Sequence, residues 1–376
     1  MGKQVKTPRF YVDMPTFLHA TGQLGWDDTP KGGAELLYMN PSNPQIRPDG
    51  ETSRTIFMIG QPNTNPPKTS FPVNFCALLN HNFASANTTI SVLGKKGLAE
   101  NDGEHPRLHA SLGAVSNVLN TLSPTYGDLG PTYNGTNIWT FSDKNGENEY
   151  WRSFEIYLGA DYDTAITHQL GSFVVGKYWD APNSPDMSLT MSRRFDGIKR
   201  QKTIGGKTLA NIYYDGPTEW TMNHPVDNDL NGTYKYPPFE LDTTAEVDTE
   251  GYRFDYRAKS GLGRKGLKSW KLTFSYISED DMWMANEVSS KVINDSIDDG
   301  TNPTGGSDPN PMLSDDSFNF VWNCTLGGTL PFIFQPDNTN NAPDNFSICT
   351  FRENTLSVTQ QAHNVYKLSI TIDEVA

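Results

Sequence analysis

The arrangement in this chain best suited to holding a cation is Asp227-Asn228-Asp229-Leu230-Asn231-Gly232. Oxygen ligands at alternate positions followed by glycine are how a calcium loop begins to wrap Ca²⁺. Such a loop needs a bidentate glutamate at its twelfth position. Pro238 stands there instead, Glu240 comes two residues later, and no flanking helix is evident. The simpler reading of Asp227, Asp229 and Asn231 is an Asx-rich turn, so no cofactor is expected, with Ca²⁺ the one candidate. A second candidate chemistry is sugar stacking, in which planar rings lie on the apolar faces of pyranoses. Tyr133 and Trp139 sit among Asn, Gly, Thr and Pro and are the candidate glycan contacts. Trp151 opens a strand and is expected in the core.

Other reactive residues do not assemble into a recognisable catalytic pattern. The seven histidines are scattered, and the i, i+4 pair His105/His109 is interrupted by Pro106, which disfavours the helix that would present both to one metal. His81 lies in Asn80-His81-Asn82 at a strand end, where bonding to a turn is the simpler role than general base. No nucleophile elbow, P-loop, zincin helix or dinucleotide fingerprint occurs. Gly205-Gly206 reads as a hairpin turn. Carboxylate pairs such as Asp280/Asp281 and Asp315/Asp316 carry little information in a chain with 44 acids. Cys76, Cys324 and Cys349 form no CxxC and read as reduced, buried small hydrophobes. The expectation is a protein without a catalytic site.

Composition narrows the partners. A net charge of −14 argues against nucleic acid, whose phosphates need a cationic face. The densest basic stretch, Arg193-Arg194 with Lys199-Arg200 and Lys202, reads as a solvated loop. No apolar run approaches the roughly 18 residues that cross a bilayer, and residues 1–14 lack an apolar signal core. Synthesis in a cytoplasm and no membrane insertion are expected. Gly 32, Pro 25 and 11% aromatics fit many strands joined by turns.

The elements that must position these residues are mostly strands. Val73, Phe75, Ala77 and Leu79 alternate with Cys76 and Leu78, and Thr88–Val92 resumes the pattern. Phe154, Ile156 and Leu158 repeat it, followed by Gly171–Gly176. Arg9–Asp13 and Thr55–Ile59 read as further strands, and Leu112–Leu122 as a short apolar helix. Pro182-Asn183-Ser184-Pro185 marks a domain boundary. Beyond it, Trp270, Leu272, Phe274 and Tyr276 alternate with Lys271, Thr273 and Ser275 as a half-buried strand. Ser278 caps a helix over 279–297, with Glu279, Asp280 and Asp281 in its first turn. Residues 298–317 contain almost nothing apolar and are expected to form a mobile loop. Tyr366, Leu368, Ile370 and Ile372 alternate in the last strand.

The stretches 73–94 and 150–177 resemble discoidin-like (galactose-binding-like) jelly rolls, in the version found in tail-associated structural proteins of bacteriophages. Pro331–Asp337, with Ser357–His363 and the final strand, looks like the closing hairpin of such proteins. The resemblance implies a mostly β chain: a discoidin-like β-sandwich over 1–182, then a β-rich assembly domain over 183–376 carrying one α-helix. It also implies a virion component, made in the host bacterial cytoplasm and acting in a tail, tail tip or adaptor. Its partners would be other virion proteins and copies of itself, as a homo-oligomer. The alternatives are a lectin-like, carbohydrate-binding module for a host surface glycan, or a capsid decoration protein. No functional side chain carries over, because these modules share no fixed set.

Overall fold

A computed structural model describes residues 5–22, 25–26, 37–39, 45–47, 55–60, 71–81, 90–95, 115–119, 135–141, 150–151, 153–158, 168–194, 198–212, 266–284, 316–341 and 345–375. The fold is mostly β. The first half supplies β1 (Arg9–Asp13), α1 (Met14–Ala20), β2 (Gly25–Trp26), β3 (Gln45–Arg47), β4 (Thr55–Gly60), β5 (Phe71–Pro72), β6 (Phe75–His81) and β7 (Ile90–Lys95). β8 (Val115–Leu119), β9 (Gly135–Phe141), β10 (Tyr150–Trp151), β11 (Ser153–Leu158) and β12 (His168–Asp180) follow. The second half supplies β13 (Thr190–Arg194), β14 (Ile198–Lys202), β15 (Thr208–Ile212), β16 (Leu267–Ser278) and α2 (Glu279–Met282). α3 (Phe318–Cys324), β17 (Phe332–Gln335), β18 (Ser347–Phe351), β19 (Val358–Ala362) and β20 (Val365–Glu374) complete it.

Twelve strands form one antiparallel sheet in the order β13-β16-β20-β18-β17-β1-β12-β6-β9-β8, with β19 beside β20 and β3 beside β12. A second sheet has the order β2-β4-β11-β7. The joint of the large sheet is the amino-terminal strand. β1 pairs with β12 on one side, Arg9 opposite Asp180, and with β17 on the other, Arg9 opposite Gln335. Arg9 locks that corner through a bidentate pair with Asp180 (2.6 and 2.7 Å), its guanidinium 4.0 Å from the Tyr178 ring centroid.

Alternation along the central strands buries both faces. Phe10 and Val12 of β1, Cys76 and Leu78 of β6, and Phe173 and Val175 of β12 join a large core. Tyr11, Phe75, Ala77, Leu79 and Val174 join a smaller one on the opposite face. A strand buried on both faces carries apolar residues at consecutive positions, which explains the unbroken FCALL run of β6. The large core continues without a break into Trp270, Leu272, Phe274, Phe318, Phe332 and Phe351. The expected division between 182 and 183 therefore does not separate two cores among the described residues. One sheet and one core span it.

Three local expectations are corrected. The helix expected at 112–122 is the strand β8 where it is described, paired with β9. The helix expected over 279–297 is a single turn: Ser278 caps it as the sequence implies, its Oγ accepting from the Asp281 N–H, but Trp283 is already extended (φ −115°, ψ 143°). Met282 and Met284 are both buried, a two-residue spacing that only extended backbone provides, and the Trp283 ring meets Tyr366 edge-on. Residues 285–297 lie outside the described ones. So do 298–315 of the expected mobile loop, whereas Asp316 pairs with Lys177 (2.5 Å) and Ser317 is buried. α1 and α3 are two helices that the expectation of one did not include.

At the β1–β12 crossing, Gly176 lies opposite Asp13, and a Cβ there would stand 2.3 Å from the Val12 carbonyl and 2.8 Å from Met14 Cγ. The backbone partner cannot yield as a flexible side chain would. Gly176→Ala is expected to lower stability by about 2–3 kcal/mol, read by chemical denaturation. A loss under about 0.5 kcal/mol would mean the two strands separate freely here.

Candidate interaction surface

Among the described residues the most exposed large apolar side chains, Ile204, Met187, Tyr276, Leu209 and Met191, belong to the strands β13 and β16 at one edge of the large sheet, their lead-in, and the chain that follows β13. β13 is the edge strand, paired only with β16 among the described residues, and every one of its side chains is exposed. The lead-in to it is fixed along β16: the Asp186 N–H donates to the Thr273 carbonyl (2.7 Å), the Ser275 hydroxyl to Asp186 (2.5 Å), and the Asn183 amide to the Tyr276 carbonyl (3.0 Å). A register shift between Phe274 and Ile277 turns Tyr276 outward, 75% exposed, and Ile277 into the core. The expected inward Tyr276 is thus corrected by a bulge, which flips every side chain beyond it.

After β13 the chain forms a separate two-stranded ribbon, β14 with β15, Lys202 opposite Thr208. The Gly205-Gly206 turn expected from the sequence closes it. Gly206 takes φ +80°, its N–H donating to the Thr203 carbonyl (2.9 Å), while the Thr203 N–H reaches the Lys207 carbonyl (2.8 Å). Glycine is needed there because left-handed backbone is costly for other residues. Side chains 200–209 are all exposed. Ile204 is fully exposed and Leu209 57% exposed, and on the preceding edge Met187 is fully exposed and Met191 half-exposed.

Charge distinguishes this arm from the rest of the molecule. Residues 190–212 hold Arg193, Arg194, Lys199, Arg200, Lys202 and Lys207 against Asp196 alone, a net +5. The chain totals −14, so the remainder carries −19. The basic stretch read as a solvated loop is a β-ribbon, and its side chains combine positive charge with uncovered apolar surface.

The residues expected to bind ligands fare differently. Trp139 is completely buried on β9, opposite Cys76 and Asn117, and belongs to the large core. A ring with no exposed face cannot stack on a sugar, so the expected platform loses Trp139. Its polar sequence neighbours misled because its burial comes from the strands β6 and β8 on either side. Tyr133, and Asp227, Asp229 and Asn231 of the candidate Ca²⁺ loop, lie outside the described residues, as do His105 and His109. Among the described residues no group of three His, Cys, Asp or Glu could hold a metal ion, and no helix is long and apolar enough to cross a membrane.

Two buried ionisable groups flank β12 and escaped the sequence reading. Asp13 ends β1, where burial pushes its carboxyl up to about 7 against the opposing bonds from the Thr16 hydroxyl and the Val175 N–H. His81 ends β6, where burial pulls its imidazole down to about 4 and a bond to the Asn137 side-chain oxygen opposes the shift. His81 does bond within its strand environment, as its position suggested, but to a neighbouring strand rather than a turn. Burial also raises the thiols of Cys76 and Cys324, and all three cysteines are reduced and buried. Neither Asp13 nor His81 is accessible to a substrate. Compared with known proteins, the chain matches no family model, no curated protein and no solved structure.

Proposed function

We propose that this chain is a structural component that works by protein–protein assembly, in the setting of a bacteriophage tail. The observation that carries the assembly reading is the arm, whose exposed apolar and basic side chains stand on an edge strand of the large sheet and on a separate two-stranded ribbon. Ordered apolar side chains with no neighbour to cover them mark contact surfaces. The setting in a tail rests on the resemblance of 73–94 and 150–177 to discoidin-like jelly rolls of phage tail proteins, and the β-rich fold is compatible with it. Burial of Trp139 weighs against the glycan-binding alternative.

The mass of the purified full chain in solution, by multi-angle light scattering across a concentration series, tests this. A discrete oligomer is expected, independent of added calcium. A monomer at every concentration would overturn self-assembly as the chain's mode of action.

A further inference from the structure

We propose that the arm is an intermolecular clasp: the β14–β15 ribbon of one copy docks on the acidic surface around Glu279–Asp281 of a second copy. The inference deepens the assembly reading and rests on it. A lone two-stranded ribbon is marginally stable in water and needs a further strand or packed face to be ordered. Among the described residues the ribbon has no further strand, since β14 and β15 pair only with each other. Ile204 at its turn and Leu209 on β15 are presented to solvent, together with Arg200, Lys202 and Lys207.

The charge says which partner fits. The +5 of the arm is complementary to the carboxylates of Glu279, Asp280 and Asp281, the first two exposed, and every other copy of the same chain carries that turn. Two arms facing each other would repel, so a two-fold contact of arm on arm is disfavoured. Geometry then supplies a direction. β13 pairs with the beginning of β16, Arg194 opposite Leu267, so the arm departs from that end. The turn Glu279–Met282 follows the other end of β16, with Glu279 and Asp280 exposed. Twelve residues of strand separate the two by about 40 Å. The exposed Tyr276 lies beside the acidic turn and offers apolar area for Ile204 and Leu209. Unlike patches at opposite ends of one element are satisfied either reciprocally in a two-fold pair or head to tail in a ring or filament, and the mass of the oligomer distinguishes them.

The test uses three full-length variants: Arg200→Glu/Lys202→Glu/Lys207→Glu, Ile204→Asp, and Glu279→Lys/Asp280→Lys. All sites are exposed, and unchanged circular dichroism and thermal midpoint establish folding. Sedimentation velocity is expected to show the wild-type oligomer weakening at least tenfold in each variant, and as salt rises from about 0.05 to about 0.5 M. Mixing the arm-reversed chain with the Glu279→Lys/Asp280→Lys chain is expected to restore assembly, since the swapped charges again complement. An oligomer indifferent to arm charge would overturn the clasp and leave the assembly reading standing. A monomeric wild type would remove the assembly reading itself. A monomer that binds a single-stranded oligonucleotide through Arg200, Lys202 and Lys207 would reassign the arm to a polyanion and overturn the proposal.

Discussion

Phe10→Ala is expected to destabilise the protein by about 3–5 kcal/mol and to loosen both halves together. The Phe10 ring is completely buried at the joint of the large sheet. Five aromatic rings surround it: Trp179 at 5.7 Å from the amino-terminal half, and Phe318 (6.0 Å), Phe332 (5.6 Å), Phe334 (5.2 Å) and Phe351 (6.2 Å) from the carboxy-terminal half. Alanine leaves a cavity lined by rings that α3, β17 and β18 hold in place, so collapse around it is limited. The magnitude alone would fit any core phenylalanine. The informative result is where protection falls. Hydrogen exchange is expected to speed up at β6 and at β20 alike, because β1 carries the ladder from one to the other through β12 and β17. Faster exchange at β20 with β6 untouched would restore the two-domain division that the continuous sheet argues against.

The same residue shows what could be read before the structure. β16 and β20 follow from period-two alternation, β1 from the short apolar run Phe10-Tyr11-Val12 between charged residues, and the Ser278 cap from a hydroxyl three residues before an acid. These signals are local. The two-sided burial of β6 is not, since Cys76 and Leu78 face one core and Phe75 and Ala77 the other only because the sheet is wide enough to have two. Trp139 among polar residues looked exposed for the same reason: pairing with β6 and β8 links segments far apart in sequence. Tyr276 continued a correct alternation across a bulge that no residue type announces. α3 did leave a signal, Phe318, Val321 and Trp322 at i, i+3, i+4 behind Ser317, but no element was expected there. Of the candidate surface, the turn at Gly205-Gly206 and its basic neighbours were legible. That side chains 200–209 are exposed was not, because exposure is set by packing between segments far apart in sequence.

Asp13 and His81 are expected to impose opposite pH dependences that nearly cancel in the wild type, so replacing either one exposes the other. Asp13 keeps its proton in the folded state up to about 7, well above the range where an unfolded chain releases it. Between about pH 4 and 7 the folded state holds a proton that the unfolded state lacks, and stability falls as pH rises through that window. His81 is the reverse: the unfolded chain takes up its proton below about 6.5, and the folded state refuses it until about 4. Stability therefore falls as pH drops through the window from 6.5 to 4. Each contribution amounts to about 3–4 kcal/mol across its window, about 1.4 kcal/mol per pH unit. Relative to wild type, Asp13→Asn should add a loss of stability toward acid with a slope of about one proton, and His81→Gln a loss toward neutral pH with the opposite slope. Urea denaturation of the three chains from about pH 4 to 8 reads both, and subtracting wild type removes every carboxylate the chains share. Differences flat in pH would mean that water reaches Asp13 and His81 in the folded protein, and that the joints on either side of β12 open far more readily than their packing implies.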